Sequence, residues 1–367
     1  MGEGPVGLAP DVGAEGAMAA LEAVQEPVDR LLADFLAQRV DDLCLLDPAL
    51  ERIGREIEDL VRVGGKRLRP AFVYWGHRAS GAAHDDGVFA AAGAVELLHT
   101  FALIHDDVMD HSQVRRGRPA VHAALAGAHI EEALVGDPGW FGVGGAILAG
   151  DLAFVWSDRL FDEAPLPAEH FDRARSVFTE LRVEVMAGQY LDLRLAGLAT
   201  AQESDALRVA LLKSGRYTVT RPLQLGAAIG GGGPDLDEVL TGYGDAIGLA
   251  FQLRDDVLGL FGDPTQTGKG ALEDLREGKR TLLVIRAMEL SSPAAADALR
   301  GILGDPGLDE ADADRARTIV RDSGALASVE ELLDQQQERA RSHLDGIQGP
   351  ARGALEELAD LALFRAV

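Results

Sequence analysis

Apolar residues recur at intervals of three and four through LEAVQEPVDRLLADFLAQRV (21–40) and again through VFAAAGAVELLHTFALIHDDVMD (88–110). That period lines one side of an α-helix. Turn-forming clusters punctuate the chain: GDPG (136–139), APLP (164–167), GGGGP (230–234), GDPTQTGKG (262–270) and GDPG (304–307). Such runs of Gly, Pro and Asp end or start regular elements. No stretch alternates apolar and polar residues between hairpin signals, so the pattern predicts no sheet. From about residue 292 the chain reads as amphipathic helix rich in charge, which speaks of packing and not of chemistry. There is no repeat of fixed period and no internal linker long enough to divide the chain. Residues 1–16, opening MGEGPVGLAPDVGAE, carry Gly, Pro and Ala without period. They are expected to form a disordered lead-in, with 17–367 as one domain of an all-α fold.

Composition supports that class. The 367 residues are 47% hydrophobic and 5% aromatic, and Ala and Leu, both strong helix formers, are abundant. The formal net charge is -25, from 35 basic and 60 acidic residues. A nucleic-acid binder needs basic surface to neutralise phosphates, so none is expected as a partner. The same balance speaks against binding an anionic membrane surface. An enzyme for phosphorylated substrates would have to concentrate its few cations locally. The single cysteine, Cys44, can form no disulfide within the chain and is expected in the core. That suits a reducing cytoplasm. The N-terminus shows no basic region followed by an apolar run, so no secretory signal is expected. The most apolar stretch, FGVGGAILAG, meets Asp151 after ten residues and is expected to be too short to span a membrane or anchor the chain.

Charge is not spread evenly. HTFALIHDDVMDHSQVRRGRPAVH (99–122) reaches Asp106, Asp107 and Asp110, then turns to Arg115, Arg116 and Arg118. On a helix beginning near Val88, Asp106 and Asp110 share a face and Asp107 lies about 100° around. Carboxylates that close repel unless a cation sits among them. Mg²⁺ suits such a site, because it takes one or two carboxylates and completes its shell with water and substrate phosphate. Surface salt-bridge decoration is the plainer alternative, but an acidic face would not then follow the apolar FALI directly.

A second cluster repeats the first. In YGDAIGLAFQLRDDVLGLFGDPTQTGKGALEDLREGKR (243–280), Asp255 and Asp256 again follow an apolar run, with Gln252 on a neighbouring helical face. Lys269 and Lys279 come after. Position 259, four beyond Asp255, is Gly and not a third acid; Asp263 reads as a turn cap or solvated residue in preference to a ligand. A third basic group, VGGKRLRPAF (63–72), holds Lys66, Arg67 and Arg69 beside Gly64-Gly65, which permit an unusual turn, and Pro70, which can open a helix. A solvated basic loop explains that group taken alone. Three basic clusters flanking two acidic pairs point to two walls of one cavity, with Arg forks and Lys charges for phosphate.

Together GGKRLRP, LLHTFALIHDDVMD, RRGRP, GQYLDL (188–193), KSG (213–215) and FQLRDD…GK…GK resemble the trans-isoprenyl diphosphate synthases, or polyprenyl synthetases, and most resemble the short-chain geranylgeranyl diphosphate synthases. The motifs keep the family's order and span about 60–285. The resemblance implies roughly a dozen helices around a deep cavity, a homodimer, and head-to-tail condensation of isopentenyl diphosphate with an allylic diphosphate using three Mg²⁺ ions. By the same resemblance Asp106, Asp110 and Asp255 are direct metal ligands, with Asp107 and Asp256 in supporting or partial ligand roles. Lys66, Arg69, His99 and Arg116 belong to the isopentenyl diphosphate site. Arg115, Lys213, Gln252, Lys269 and Lys279 belong to the allylic site. Ser214 stands where the family commonly has threonine, and keeps the hydroxyl. Gly259 departs from the commoner second DDxxD.

The implied chemistry needs no protein nucleophile. Metal and cations neutralise the allylic diphosphate, and positioning and electrostatics supply catalysis. His99 lies two turns before Asp106 on a similar face. His77, His84, His105, His111 and His122 read as ordinary structural histidines. Phe101 and Ala102, five and four residues before Asp106, would sit about 6–8 Å deeper along the helix. A bulky floor there resembles that of enzymes making a C20 product; a farnesyl (C15) or longer product is the alternative. A class I terpene cyclase would not need GGKRLRP and RRGRP, and a non-catalytic synthase subunit could lose the aspartates that this chain carries.

Overall fold

The computed structural model describes residues 14–83, 85–198, 200–262 and 271–363. His84, Asp263 and Lys269 lie outside the described residues, as do residues 1–13 of the expected lead-in. The chain forms α1 (Ala14–Leu46), a 3₁₀ turn (Pro48–Leu50), α2 (Glu51–Arg62), α3 (Leu68–Ala79), α4 (Gly87–Met109), α5 (Val121–Glu131), α6 (Pro138–Asp162), α7 (Ala168–Ala196) and α8 (Glu203–Val209). A π-helical segment (Ala210–Thr220) leads into α9 (Arg221–Ile229) and α10 (Pro234–Phe261). The rest is α11 (Ala271–Arg276), α12 (Leu282–Leu290), α13 (Pro293–Ile302), α14 (Glu310–Asp322), α15 (Ala325–Leu344) and α16 (Pro350–Leu363).

Two of the turn signals are helix starts. In GDPG, Asp137 Oδ1 accepts a hydrogen bond from Gly139 N at 2.9 Å and Pro138 opens α6. In GGGGP, Gly233 is extended and Pro234 opens α10. Proline suits that position because its missing N–H would have no partner there. Helix α4 is apolar nearly all round, and its buried run from Gly87 to Leu98 forms the centre of the bundle. It packs along α6, α3 and α1, and α1 presents the buried Val24, Val28, Leu32, Leu36 and Val40 at a spacing of four. Helix α10 packs on the π segment and α15. The last turns of α4 and α10 thereby open onto one cavity.

Four expectations are corrected. A sheet exists, though a minimal one: Val114–Arg115 pairs antiparallel with Arg118–Pro119. Its two-residue turn places Arg116 (φ 54) and Gly117 (φ 74) in the left-handed region, the geometry that matches strand twist. Two-residue strands are too short to show alternation. In the GGKRLRP loop the left-handed residue is Arg67 (φ 54), and neither Gly64 nor Gly65. Cys44 is half-buried on α1 and lies outside the core. The apolar run before Asp151 is part of the 25-residue α6. Both α4 and α6 have the length and hydropathy of a membrane span, but the apolar window of α4 is 83% buried in the protein and that of α6 only 33%.

Candidate active site

A cavity of about 810 Å³ collects residues far apart in sequence. Helix α4 turns Glu96, His99, Leu103 and Asp106 toward it, at helical spacing. Helix α10 contributes Gln252, Asp255, Asp256 and Gly259, and the π segment Lys213 and Ser214. Lys66 and Arg67 enter from the loop before α3 and Arg69 from its first turn, Arg115 and Arg116 from the hairpin, and Lys279 and Arg280 from the loop before α12. Carboxylates from α4, α7, α10 and α11 thus share one space with cations from four segments. The two acidic pairs sit within the last two turns of their helices, where the helix dipole also favours a cation.

Asp106 faces the cavity under two donors. Gln189 Nε2 donates to its Oδ1 at 2.7 Å, and Lys213 Nζ lies 3.5 Å away while donating to Asp192 at 2.6 Å. Burial would lower the Lys213 pKa, but Asp106 and Asp192 hold it above the usual lysine value. Asp107 points elsewhere. It is 1% exposed, does not line the cavity, and accepts from Arg115 Nε at 2.9 Å and from Arg115 Nη2. Asp110 caps α4, and its buried Oδ2 has no hydrogen-bond partner among the described residues. Burial and the Asp106 charge push its pKa up to about 6. Across the cavity, burial pushes Asp256 up to about 8; a 2.6 Å bond from Gln252 opposes this, and the Asp274 and Asp255 charges add to it.

The basic wall is crowded in the opposite sense. Arg69 stacks 4.6 Å over the Tyr217 ring and donates to Thr218 Oγ1 at 2.9 Å, while its buried Nε finds no hydrogen-bond partner among the described residues. Among the described residues Arg116 donates to the Leu60 carbonyl, at 3.4 Å. Among the described residues neither is ion-paired to a carboxylate. Burial lowers the Arg116 pKa, with Arg67, Arg115 and Arg69 adding repulsion that Glu96 partly offsets. His99 Nδ1 lies 3.1 Å from the Tyr217 hydroxyl, and burial together with Arg69, Arg116, Arg115 and Arg67 keeps the imidazole neutral, well below its ordinary pKa. Arg67 differs: it is buried against Asp29 (2.7 Å), Glu96 (2.5 Å) and the Val61 carbonyl (2.7 Å), and clamps the loop. Lys279 bridges Asp274 (3.1 Å) and Glu277 (2.5 Å); burial would lower its pKa, and these acids with Asp110 raise it well above normal.

Close backbone contact sets the Lys213 segment against α10. A Cβ on Gly248 would fall 2.5 Å from Gly215 Cα, so only glycines allow this crossing. The π segment offsets the helical register where Lys213 and Ser214 lie, as π turns at functional sites commonly do.

The cavity therefore brings together Lys66, Arg69, His99, Asp106, Arg115, Arg116, Lys213, Ser214, Gln252, Asp255, Asp256 and Lys279. Phe101 and Ala102 do not line it. The half-buried Phe101 ring packs 4.8 Å from His105 and 5.1 Å from Phe154 of α6, centroid to centroid. His105 bonds the Ile147 carbonyl at 3.0 Å. Sequence reasoning assigned no role to Gln189, Asp192, Tyr217, Thr218 or Asp274. Gln189 and Asp192 were findable, three apart in GQYLDL and so on one helical face.

A family profile described as Polyprenyl synthetase matches residues 51–320. The chain is 32% identical over 341 residues to the geranylfarnesyl diphosphate synthase of Aeropyrum pernix, covering 92% of this chain and 97% of that one. It is 30% identical over 326 residues to the nonaprenyl diphosphate synthase of Mycobacterium tuberculosis, covering 88% and 90%. Its structure resembles that of geranylgeranyl pyrophosphate synthase from Corynebacterium glutamicum, solved with isoprenyl diphosphate and magnesium, at TM-score 0.86 and 38% identity over 92% of this chain and 98% of that one. Fold and site together define a trans-prenyltransferase. The chain belongs to the polyprenyl synthetase family.

Proposed function

We propose that this chain condenses isopentenyl diphosphate head-to-tail with allylic diphosphates and that its main product is geranylgeranyl (C20) diphosphate. The observation that carries this is the division of one cavity into an acidic side (Asp106, Asp255, Asp256) and a basic side (Lys66, Arg69, Arg116). A cyclase acting on one diphosphate has no use for the second set of cations. Lys66, Arg69, His99 and Arg116 hold the isopentenyl diphosphate, and neutral His99 orients it without competing for a proton. Arg115, Lys213, Gln252 and Lys279 hold the allylic diphosphate, with Ser214 beside them; Lys269 is assigned there by motif. When the allylic C–O bond breaks, its electron pair leaves on the diphosphate, where Lys213 and Arg115 meet the charge. The isopentenyl double bond then attacks the allylic carbon, and the proton lost from the neighbouring carbon passes to the released diphosphate.

The donor set fits Mg²⁺, three ions in our reading. Asp106, Asp110, Asp255 and Asp256 offer only oxygen, and the Asp110 and Asp256 carboxylates are pushed up toward neutrality without a cation. Among the described residues no three acidic, His or Cys groups converge on one metal position, so diphosphate oxygens would complete each shell. Bound there, Mg²⁺ supplies positive charge that favours departure of the diphosphate. Asp107 acts by holding Arg115.

A homodimer is supported by the apolar stripes on α6 (Trp140, 73% exposed, with Ile147, Leu148 and Val155) and α7 (Val183, Met186, Leu193 and Tyr190, 68% exposed). Exposed apolar patches of this extent mark interfaces. We place the enzyme in the cytoplasm, where a lone half-buried thiol is stable. The test is a product assay: purified protein, Mg²⁺ and isopentenyl diphosphate with the C5, C10 or C15 allylic diphosphate, sizing the dephosphorylated alcohols by mass. A dominant C20 alcohol is expected. Cyclic hydrocarbons, or no turnover, would overturn the reading.

A further inference from the structure

We infer that Arg216 is a positioning residue for Lys213: by pairing with Asp245 of α10 and Glu184 of α7 it fixes the register of the π segment, and with it the direction in which Lys213 faces the cavity. The inference rests on the allylic reading of Lys213 above. Arg216 follows Lys213 by three residues and does not line the cavity, and neither do Glu184 and Asp245. Its Nε and Nη2 donate to the two oxygens of Asp245, at 3.2 and 3.0 Å, and its Nη1 lies 3.4 Å from Glu184 Oε1. Glu184 also accepts two bonds from Arg221, at 2.8 and 2.7 Å, and Asp245 accepts one from the Thr220 hydroxyl at 2.8 Å. Burial would raise the Glu184 pKa, but Arg221 and Arg216 hold it below the usual glutamate value, so the acid is charged at neutral pH.

The two acids keep step with the rest of the seat. On α7, Glu184, Gly188 and Asp192 follow at intervals of four and so share a face. A Cβ on Gly188 would fall 2.4 Å from Lys213 N and 2.6 Å from its Cα, and Asp192 accepts from Lys213 Nζ at 2.6 Å. On α10, Asp245, Gly248 and Gln252 repeat that order at intervals of three and four. The acid binds Arg216, the glycine touches the Gly215 backbone, and the amide faces the cavity. Backbone contact brings the segment close without fixing its turn. Relaxing a π turn to α-helix shifts the register by one residue, about 100° of rotation. A planar fork bonded to two helices at once resists that shift, because the shift would carry Arg216 away from both acids.

Steady-state kinetics on the full-length chain with Mg²⁺, isopentenyl diphosphate and the C15 allylic diphosphate test this, with folding checked by thermal melts. Arg216→Gln should lower kcat about ten-fold and leave KM for isopentenyl diphosphate unchanged, since small displacements of a positioned group cost rate. Arg216→Lys reaches one acid but not both and should recover part of the loss. Asp245→Asn keeps the partner's shape, should lower kcat in the same way but less, and carries the same comparison if Arg216→Gln does not fold. The deciding measurement is made in a Lys213→Ala background. There Arg216→Gln should lower kcat by no more than about two-fold, because residues that act through one another are not additive. Losses that multiply in the double variant, or wild-type kcat in Arg216→Gln, would overturn the inference and leave the allylic site standing. Wild-type kcat in Lys213→Ala would overturn the allylic reading of Lys213 and this inference with it.

Discussion

Asp107 and Arg115 hold each other inside the protein, while Asp106, one residue earlier, faces the cavity. Arg115 Nε donates to Asp107 Oδ1 at 2.9 Å, and Asp107 is 1% exposed. Neighbours on one helix turn thus serve different ends: one carboxylate meets the substrate space and the other fixes a guanidinium at its rim. Asp107→Asn should cost about 3 kcal/mol of stability, since it leaves a largely buried cation without its counter-charge. At saturating Mg²⁺ it should raise KM for the allylic diphosphate and leave the Mg²⁺ dependence of the rate unchanged. Asp106→Asn should do the reverse. Urea denaturation and steady-state kinetics against each ligand separate the two. A shifted Mg²⁺ requirement in Asp107→Asn would make Asp107 a ligand.

Acidity in the site gives a pH signature. Asp110 is pushed up to about 6 and Asp256 to about 8, by burial first and neighbouring carboxylates next. Unfolded, both titrate at about 4. Between those values the folded chain binds more protons than the unfolded one, so stability falls as pH rises. In EDTA the melting temperature should decline from about pH 5, with both acids contributing to about 6 and Asp256 alone to about 8. Mg²⁺ with inorganic diphosphate should remove most of that slope by stabilising the ionised forms. Melting curves from pH 5 to 9 under the two conditions test it; parallel profiles would contradict the assignment.

Much of this site was legible because its residues announce themselves by charge and spacing. Asp106 and Asp255 follow apolar runs that could only be core helices, and Lys66, Arg69 and Arg116 stand out in a chain of net charge -25. What stayed hidden depends on contacts that spacing does not encode. Asp107 has the composition of a ligand, and only the hairpin's fold shows that Arg115 claims it. The hairpin itself has no alternation to read, and the π segment no period to distinguish it from α-helix. Asp274 lies eighteen residues beyond Asp256, and nothing in the sequence says that the intervening chain returns it to the same cavity. The apolar stripe of α6 reads like core, yet the folded chain leaves Trp140, Ile147, Leu148 and Val155 exposed, and an apolar period alone does not tell which face a helix buries.

Tyr217 ties two parts of the basic wall together. Its hydroxyl lies 3.1 Å from His99 Nδ1, and its ring lies under the Arg69 guanidinium at 4.6 Å. Tyr217→Phe removes only the hydrogen bond and should raise KM for isopentenyl diphosphate about five-fold, equivalent to about 1 kcal/mol. Tyr217→Leu also removes the face that holds Arg69 and should cost roughly a further 0.5–1 kcal/mol. Neither should change KM for the allylic diphosphate. Because His99 stays neutral, KM for isopentenyl diphosphate should show no inflection near the ordinary histidine pKa. An inflection there that disappears in His99→Gln would refute this placement of the imidazole.

The Gly215–Gly248 crossing makes a backbone prediction. A methyl at 248 meets Gly215 Cα at 2.5 Å, and both contact atoms are backbone, so the helices must separate. Gly248→Ala should destabilise the fold by about 1–3 kcal/mol, as overpacking does. It should also slow turnover more than it weakens binding, because Lys213 moves with the π segment relative to Asp106, and small displacements of a positioned group cost rate. Thermal melts with kcat and KM check both parts. Normal kcat in a destabilised variant would mean that the crossing serves stability alone.

Product length turns on where the growing chain leaves the cavity. Along α4 two routes diverge. The face of His99, Leu103 and Asp106 lines the cavity, whereas Phe101 turns toward α6 and packs on Phe154 and His105. If the chain passes between α4 and α6, the paired rings of Phe101 and Phe154 are its floor, and removing either opens the path. Phe101→Ala and Phe154→Ala should then both lengthen the product beyond that of the unaltered enzyme. Leu103→Ala should leave its length unchanged. If the chain instead follows the cavity wall, Leu103→Ala should lengthen the product and the two phenylalanine variants should not. Sizing the alcohols after dephosphorylation distinguishes the routes. The comparison needs no assumption about the starting product, since each variant is read against the same enzyme. It also guards against misreading general damage, because a variant that merely loosens the bundle should slow turnover and release shorter intermediates, not longer ones.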